Sequence, residues 1–237
     1  MAAGKGTRMK SDLPKVLHRL RGQPLLAYSL ELARSLAAAP LVVVVGYQAG
    51  QVMAACGQWP ELKFVCQEPQ LGTGHAVMTA VPELSGLTGS VLILNGDVPG
   101  LTLPTVQNML SRHYRERNAL TVLAMELENP AAYGRLITSR HRLLAIREYR
   151  DAAPEEQKIN LVNAGIYLFA VADLLAALPL LKNNNDQQEY YLTDLVAIMN
   201  SKGLPVGYDL CANPWEVAGV NSQDELRQLE SLWRKDK

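Results

Sequence analysis

Ala2-Ala3-Gly4-Lys5-Gly6-Thr7-Arg8-Met9, followed by Ser11-Asp12-Leu13-Pro14-Lys15, is the stretch around which the rest of the chain is arranged. Gly4 and Gly6, two apart, let the backbone approach a ligand closely and turn its N–H groups inward, which is how a loop cradles phosphate oxygens. Lys5, Arg8 and Lys15 bring three cations into eleven residues. Pro14 stiffens the chain directly before Lys15 and so holds that lysine in one place. The spacing matches neither the G-x-x-x-x-G-K-[ST] of a P-loop nor the G-x-G-x-x-G dinucleotide fingerprint. A Gly-Lys-Gly turn alone is compatible with an ordinary turn, but the extended run with Arg8 and Pro14-Lys15 reads as a triphosphate loop.

Working outward, strands and helices alternate after the loop. Apolar residues Leu25, Leu26, Leu30, Ala33 and Leu36 recur at helical spacing over 22–38. Leu41–Val45 is a continuous β-branched run closed by Gly46, the pattern of a strand buried on both faces. A short helix over 48–56, a strand at Leu62–Cys66, a helix over 73–81, a strand over 91–94, a helix at Leu103–Arg115 and a strand over 120–125 follow. This rhythm predicts an α/β fold with an open, doubly wound, mostly parallel sheet of Rossmann-like type and right-handed crossovers. From Tyr133 the strands shorten, over 134–138, 143–147 and 161–169, with helices over 171–178, 191–201 and 223–234. The expected organisation is a single domain. Residues 1–126 form its nucleotide-binding part, 127–221 a smaller lobe inserted late, and 222–237 a terminal helix.

With 237 residues the chain can bury a sizeable core. Its 23 Lys and Arg against 23 Asp and Glu give zero formal charge, which argues against a nucleic-acid surface. No apolar run approaches the roughly 18–20 residues that span a bilayer. No apolar leader opens the sequence, and the expected location is the cytoplasm. Cys56, Cys66 and Cys211 are odd in number and lack C-x-x-C spacing, so neither a disulfide framework nor a zinc site is expected.

In such sheets ligands bind outside the C-terminal ends of strands, so the loops after strands carry the candidate chemistry. Gln67-Glu68-Pro69-Gln70-Leu71-Gly72-Thr73-Gly74 follows a strand and opens a helix. The Gln67 amide can pair with the imide edge of a pyrimidine, and the Gly72-Thr73 backbone can abut base or sugar; a plain helix cap is the alternative. His75 is left out of the site, since a lone histidine at a helix start packs or caps more often than it reacts. Asn95-Gly96-Asp97 closes a buried strand, and a carboxylate there suits Mg²⁺, which takes one or two carboxylates together with substrate phosphates. Capping of the turn before Val98-Pro99 is the alternative for Asp97. Asn221 by itself reads as the cap of the last helix.

Gly4-Lys5-Gly6-Thr7-Arg8-Met9 with Pro14-Lys15-Val16-Leu17-His18 resembles the signature of the sugar-1-phosphate nucleotidyltransferases. Within that family the chain is most similar to the bacterial N-acetylglucosamine-1-phosphate uridyltransferases. The later motifs fall in the family's order, so the resemblance covers nearly the whole sequence. It implies the GT-A-like nucleotidyltransferase form of the fold with a small sugar-binding lobe. Ala2, Ala3, Gly4, Gly6, Gln67, Gly72, Thr73, Asn95 and Gly96 would then bind the nucleotide, with Gln67 reading uracil. Arg8, Lys15 and Asp97 would be catalytic, and Asp97 with Asn221 of Gly219-Val220-Asn221 would hold Mg²⁺. Gly134 of Tyr-Gly-Arg, Glu148, Asn163 of Asn-Ala-Gly, and Tyr191 and Thr193 of Glu-Tyr-Tyr-Leu-Thr-Asp would bind N-acetylglucosamine. One carboxylate, an amide and hydroxyls are sensible partners for sugar hydroxyls and an acetamido group, and Gly134 lets the backbone come close. Without the resemblance these five read as surface polar residues.

The implied reaction joins UTP and N-acetylglucosamine 1-phosphate to give UDP-N-acetylglucosamine and pyrophosphate. The attacking phosphate is already an anion at neutral pH, so catalysis reduces to positioning and charge neutralisation. Two other readings stand beside it: another sugar- or alditol-phosphate nucleotidyltransferase, and a catalytically silent nucleotide-sugar-binding protein. Retention of Arg8, Lys15 and Asp97 speaks against the second. Small-molecule substrates, with no nucleic acid and no membrane, are the expected partners; oligomeric state is not legible. The family carries an apolar strand directly before Ala-Ala-Gly where only Met1 stands here, and a C-terminal acetyltransferase half not seen in these residues. A central strand has about 5–6 residues. The expectation is therefore a sequence shortened at its start, poorly stable and weakly active in this form.

Overall fold

The computed structural model describes residues 1–140 and 142–235, the side chains of 234 and 235 excepted; residues 236 and 237 of the expected terminal helix lie outside the described residues. In chain order the elements are β1 (Arg19–Leu20), β2 (Gln23–Pro24), α1 (Leu25–Ser35), β3 (Leu41–Val45), α2 (Ala49–Ala55), β4 (Leu62–Cys66), α3 (Thr73–Thr79), α4 (Val81–Leu84), β5 (Ser90–Ile93) and α5 (Leu103–Arg115). Then come β6 (Leu120–Glu126), β7 (Arg135–Ser139), β8 (Arg142–Arg147), α6 (Pro154–Gln157), β9 (Leu161–Ala170), α7 (Val171–Ala177), α8 (Asp194–Ser201), β10 (Val206–Leu210) and α9 (Gln223–Lys235). The chain divides into two compact units: Met1–Gln70 with Leu94–Leu103 and Trp215–Lys237, and Leu71–Ile93 with Pro104–Pro214.

In the first unit the β-branched run forms β3, paired parallel with β4 from Leu41↔Leu62 to Val45↔Cys66. Ala2 adds a parallel bridge to Val45, and its N–H donates to the Val44 carbonyl at 2.8 Å. On the other side the Gly96 N–H donates to the Met1 carbonyl at 2.9 Å. The residues that open the glycine loop are thereby tied to the backbone on both flanks. Val16, Leu26, Val45 and Trp59 bury themselves in one apolar cluster under this pair. A second cluster of Leu20, Leu25, Val220 and Leu229 joins α9 to α1, with the Tyr28 and Trp233 rings edge-on at 5.5 Å. The helix expected from residue 22 begins at Leu25, because 19–24 make the small antiparallel hairpin of β1 and β2 instead.

The second unit holds a six-stranded sheet in the order β10-β6-β9-β7-β8, with β5 paired to the C-terminal part of β9. β10 runs parallel to β6, as expected of this fold, whereas β9 is antiparallel to both β5 and β6. The sheet is therefore more mixed than the alternation of elements predicts. A parallel return needs a crossover of a dozen or more residues, usually a helix. Between β6 and β9 the chain offers only the β7–β8 hairpin and the four-residue α6. β6, with six of its seven residues buried, is sandwiched as a central strand should be. His113 of α5 stitches this unit: its Nδ1 lies 2.9 Å from the Thr121 hydroxyl of β6 and its Nε2 3.3 Å from the Ser90 hydroxyl of β5. Burial holds this imidazole below its ordinary pKa, so it stays neutral.

Candidate active site

The glycine loop of the first unit is built as its residue types require. Gly6 adopts a left-handed φ of 62° and a Cβ there would stand 2.5 Å from the Lys15 Cβ, so only glycine lets Lys15 lie against the loop. Thr7–Met9 closes as one 3-10 turn with Met9 buried and Arg8 exposed. Gly4 has open space where a side chain would be. Ala2 and Ala3 are buried, and the Ala3 carbonyl accepts from the Tyr47 N–H at 3.1 Å. Lys5 rests over the Tyr47 ring, 5.5 Å from its centroid.

Lys15 points at the carboxylate expected to hold a metal. Its Nζ pairs with Asp97 Oδ2 and donates to Asn221 Oδ1 at 3.2 Å. The Lys15 and Asp97 side chains are only 18% and 14% exposed, so their charges are largely withdrawn from water and act strongly on each other. Asp97 and Asn221 are held by backbone as well. The Val220 N–H donates to the Asp97 carbonyl at 2.9 Å, and Asn221 Nδ2 donates to the Gly219 carbonyl at 3.2 Å. The Asn221 and Ser222 N–H groups both donate to Glu225 Oε2, at 2.6 and 2.9 Å, the reciprocal contact of a helix start. The cap that spacing assigns to Asn221 falls instead on Ser222, whose hydroxyl accepts from the Glu225 N–H at 3.2 Å; Asn221 stands one residue earlier, its side chain turned to Lys15. Asn95 and Gly96 are fixed by their backbone, the Asn95 carbonyl accepting from the Ser29 hydroxyl at 2.9 Å.

Asp97 and Asn221 present two hard oxygen donors to one cation, here the Lys15 ammonium, and that donor set fits a divalent metal. Among the described residues no group of three or more His, Cys, Asp and Glu is placed to hold a metal ion. A cation here would take its remaining ligands from phosphate and water, which is the habit of Mg²⁺. Gln67 in the same unit is 3% exposed and its N–H donates to the Val45 carbonyl at 2.7 Å, so β3 and β4 fix its depth.

In the second unit Gly72 opens α3 at a φ of 101°, and a Cβ there would meet the Tyr190 carbonyl at 2.7 Å. The Tyr190 N–H donates to the Leu71 carbonyl at 2.8 Å and the Gly74 N–H to the Tyr190 carbonyl at 2.7 Å. The Thr73 hydroxyl accepts from the Leu192 N–H at 3.0 Å. These bonds clamp the Gly72-Thr73 turn onto 190–192, and for that reason the helix expected over 191–201 starts only at Asp194. The same clamp brings Tyr191 and Thr193 to their places. Thr193 donates to Glu148 Oε1 at 2.9 Å, and Tyr191 Oη accepts from Gln187 Nε2 at 2.8 Å. A Cβ on Gly134 would stand 3.5 Å from both Glu148 carboxylate oxygens, so the bare glycine keeps the backbone open beside them. The Asn163 N–H donates to the Gly134 carbonyl at 2.9 Å. Gly134, Glu148, Asn163 and Thr193 thus gather in one neighbourhood, which chain order does not show.

Burial pushes the Glu148 carboxyl above its ordinary range, opposed by the Thr193 hydrogen bond and assisted by Asp194, Asp151 and Glu189. Sequence reasoning missed one member of this group, Tyr167, whose hydroxyl accepts from Asn163 Nδ2 at 2.6 Å. Arg135 is buried, and its guanidinium donates to the backbone carbonyls of Gln157 at 3.2 Å, Ala131 at 3.0 Å and Tyr133. It lies over the Tyr149 ring at 5.2 Å.

The family model for the MobA-like NTP transferase domain matches residues 1–190. The chain belongs to this family. Among curated proteins it is 46% identical over 236 residues to a protein named Bifunctional protein GlmU from Geobacter metallireducens, covering 99% of this chain and 50% of the relative. A protein of the same name from Acaryochloris marina is 44% identical over 227 residues, covering 95% and 49%. The chain spans about half the length of the curated relatives it matches. Among solved structures, an apo UDP-glucose pyrophosphorylase superposes with a TM-score of 0.76 at 16% identity, over 99% of this chain and 96% of that one. A nucleoside-diphosphate-sugar pyrophosphorylase from Vibrio cholerae gives 0.74 at 18%, over 97% of each. The likeness to these two structures shows the fold, an α/β fold with a central sheet as expected.

Proposed function

We propose that the chain catalyses uridylyl transfer from UTP to N-acetylglucosamine 1-phosphate, releasing pyrophosphate and forming UDP-N-acetylglucosamine. The observation that carries this reading is the convergence of Lys15, Asp97 and Asn221, from three distant parts of the sequence, beside a glycine loop with Arg8. Identity of 46% to a GlmU protein along nearly the whole chain supports the choice of substrates.

The sugar phosphate is its own nucleophile, so the protein's task is to hold two polyanions in line and offset their charge. The Gly4 and Gly6 backbone offers N–H groups to the triphosphate. Lys15 and Arg8 balance charge developing on the α-phosphoryl oxygens and the departing pyrophosphate. Asp97 and Asn221 would hold Mg²⁺, which when bound neutralises phosphate oxygens and draws reacting groups together. Gln67 pairs with the imide edge of uracil, and Gly72 and Thr73 carry base and ribose. Glu148, Asn163, Tyr191 and Thr193 accept and donate to the sugar hydroxyls and the acetamido group, with Gly134 leaving the backbone exposed to them. The three free cysteines suit a reduced, cytoplasmic location.

The test is pyrophosphate release across a panel of four nucleoside triphosphates and several sugar and alditol 1-phosphates, with and without Mg²⁺. UTP with N-acetylglucosamine 1-phosphate should give the highest kcat/KM, and only with the metal. A different best pair moves the chain to another nucleotidyltransferase specificity. Binding of UDP-N-acetylglucosamine without any release would mark a silent binding protein.

A further inference from the structure

β9 breaks its regular course between Asn163 and Tyr167. Opposite it, consecutive residues Leu123 and Ala124 of β6 face Ile166 and Asn163, so Ala164 and Gly165 are extra residues in β9. Gly165 takes up the irregularity at a φ of 75°, a conformation that suits glycine. In an unbroken strand two residues four apart lie about 13 Å apart, at roughly 3.3 Å per residue, out of reach of each other's polar atoms. Here Asn163 Nδ2 donates to Tyr167 Oη at 2.6 Å, and the Gly165 N–H donates to Asn163 Oδ1 at 2.9 Å. The bulge therefore creates a contact that pairing alone forbids. Bulges of this kind recur beside functional sites, where they re-aim a side chain.

The consequence is chemical. An asparagine amide has a donor end and an acceptor end of nearly equal shape, and either can face a ligand unless neighbours tell them apart. Tyr167 Oη accepts a hydrogen bond from the Nδ2 end, and the Gly165 N–H, which can only donate, marks the other end as the oxygen. Only one N–H and one lone pair of Asn163 remain for anything else. Burial, and then the charge of Glu148, hold the Tyr167 phenol far above its ordinary range, so it keeps its own proton throughout the working pH.

We infer that Tyr167 is a positioning residue for the sugar phosphate: its hydroxyl holds the Asn163 amide, whose ends the Gly165 N–H has already set, in the place from which its remaining N–H and lone pair meet the acetamido sugar, without itself touching the ligand. At 4% exposed it acts only through Asn163. The inference rests on the reading of Asn163 as a sugar contact.

The experiment is a double-mutant cycle of Tyr167→Phe and Asn163→Ala, read as separate KM values for UTP and N-acetylglucosamine 1-phosphate, with thermal unfolding of each variant. Tyr167→Phe keeps the ring and its packing near Phe169. Losing one hydrogen bond of ordinary strength should raise the KM for the sugar phosphate about 3–10-fold. The KM for UTP should not move. In the Asn163→Ala background the same change should add nothing, because the group through which it acts is gone. Equal rises in both KM values, or an undiminished effect of Tyr167→Phe in the Asn163→Ala background, would overturn the inference while leaving the sugar contact in place. An unchanged sugar KM in Asn163→Ala alone would remove Asn163 from the sugar site, and the role of Tyr167 with it.

Discussion

Gly6→Ala puts one methyl group where the structure has no room for it. The new Cβ would meet the Lys15 Cβ at 2.5 Å, Cγ at 3.3 Å and Cδ at 3.4 Å. To reach the 3.4 Å of ordinary contact the two Cβ atoms must part by roughly 0.9 Å. Pro14 limits how far the Lys15 backbone can give, so the lysine is driven off Asp97 and Asn221. A misplacement of about 1 Å costs on the order of 10²-fold in turnover, and removal of a preorganised charge contact about 10²–10³-fold. The stability cost is smaller: a left-handed alanine costs roughly 1–2 kcal/mol. In a chain of this size that lowers Tm by about 2–8 °C. Pyrophosphate release and thermal unfolding, measured on the same preparation, separate the two effects. Turnover within about threefold of the parent, with Tm lowered as expected, would refute the claim that the position of Lys15 limits catalysis.

Asp97→Ala should abolish Mg²⁺-dependent turnover, and Asn221→Ala should weaken it less, since a neutral amide contributes less to a hard cation than a carboxylate does; a metal titration unchanged in both would place the cation elsewhere. Gln67→Ala should lower the preference for UTP over CTP on the order of tenfold or more, with a smaller loss in the UTP reaction, because a site built to pair a polar edge rejects mismatches through its own unpaired groups; equal selectivity would remove Gln67 as the reader. His113 has a pKa lowered by burial, so below the ordinary histidine value of about 6.5 the unfolded chain binds the proton the native state refuses. Its contribution is present above that pH and is lost as pH falls, and His113→Gln should flatten the dependence of Tm on pH between 7 and 5; an unchanged slope would clear His113.

Legibility in the sequence follows from the range over which each feature is decided. The run Leu41–Val45 declares a buried strand by itself, and it forms one. β10 was not anticipated: Val-Gly-Tyr-Asp-Leu after Pro205 has little strand character, and its pairing with β6 makes it one. The direction of β9 depends on how many residues separate it from its neighbours, and on the shortness of α6, more than on its own composition. The same holds at the site. Gly4, Gly6 and Pro14-Lys15 form a locally readable glycine loop, but the meeting of Lys15 with Asp97 and Asn221 spans 82 and 206 residues and is visible only in space or through resemblance. Tyr167 carries no signal in its spacing from Asn163, because a regular strand would keep the two apart. The bulge that unites them is set by pairing with β6.

The most direct measurement of the central claim follows the oxygens of the sugar phosphate. With N-acetylglucosamine 1-phosphate labelled with ¹⁸O in its phosphate and unlabelled UTP, attack on the α-phosphorus leaves every labelled oxygen on the β-phosphorus of the nucleotide sugar, one of them in the new bridge. Mass spectrometry of the products should find all of the label in UDP-N-acetylglucosamine and none in pyrophosphate. Label in the released pyrophosphate, or no UDP-N-acetylglucosamine at all while UTP is consumed, would contradict the account.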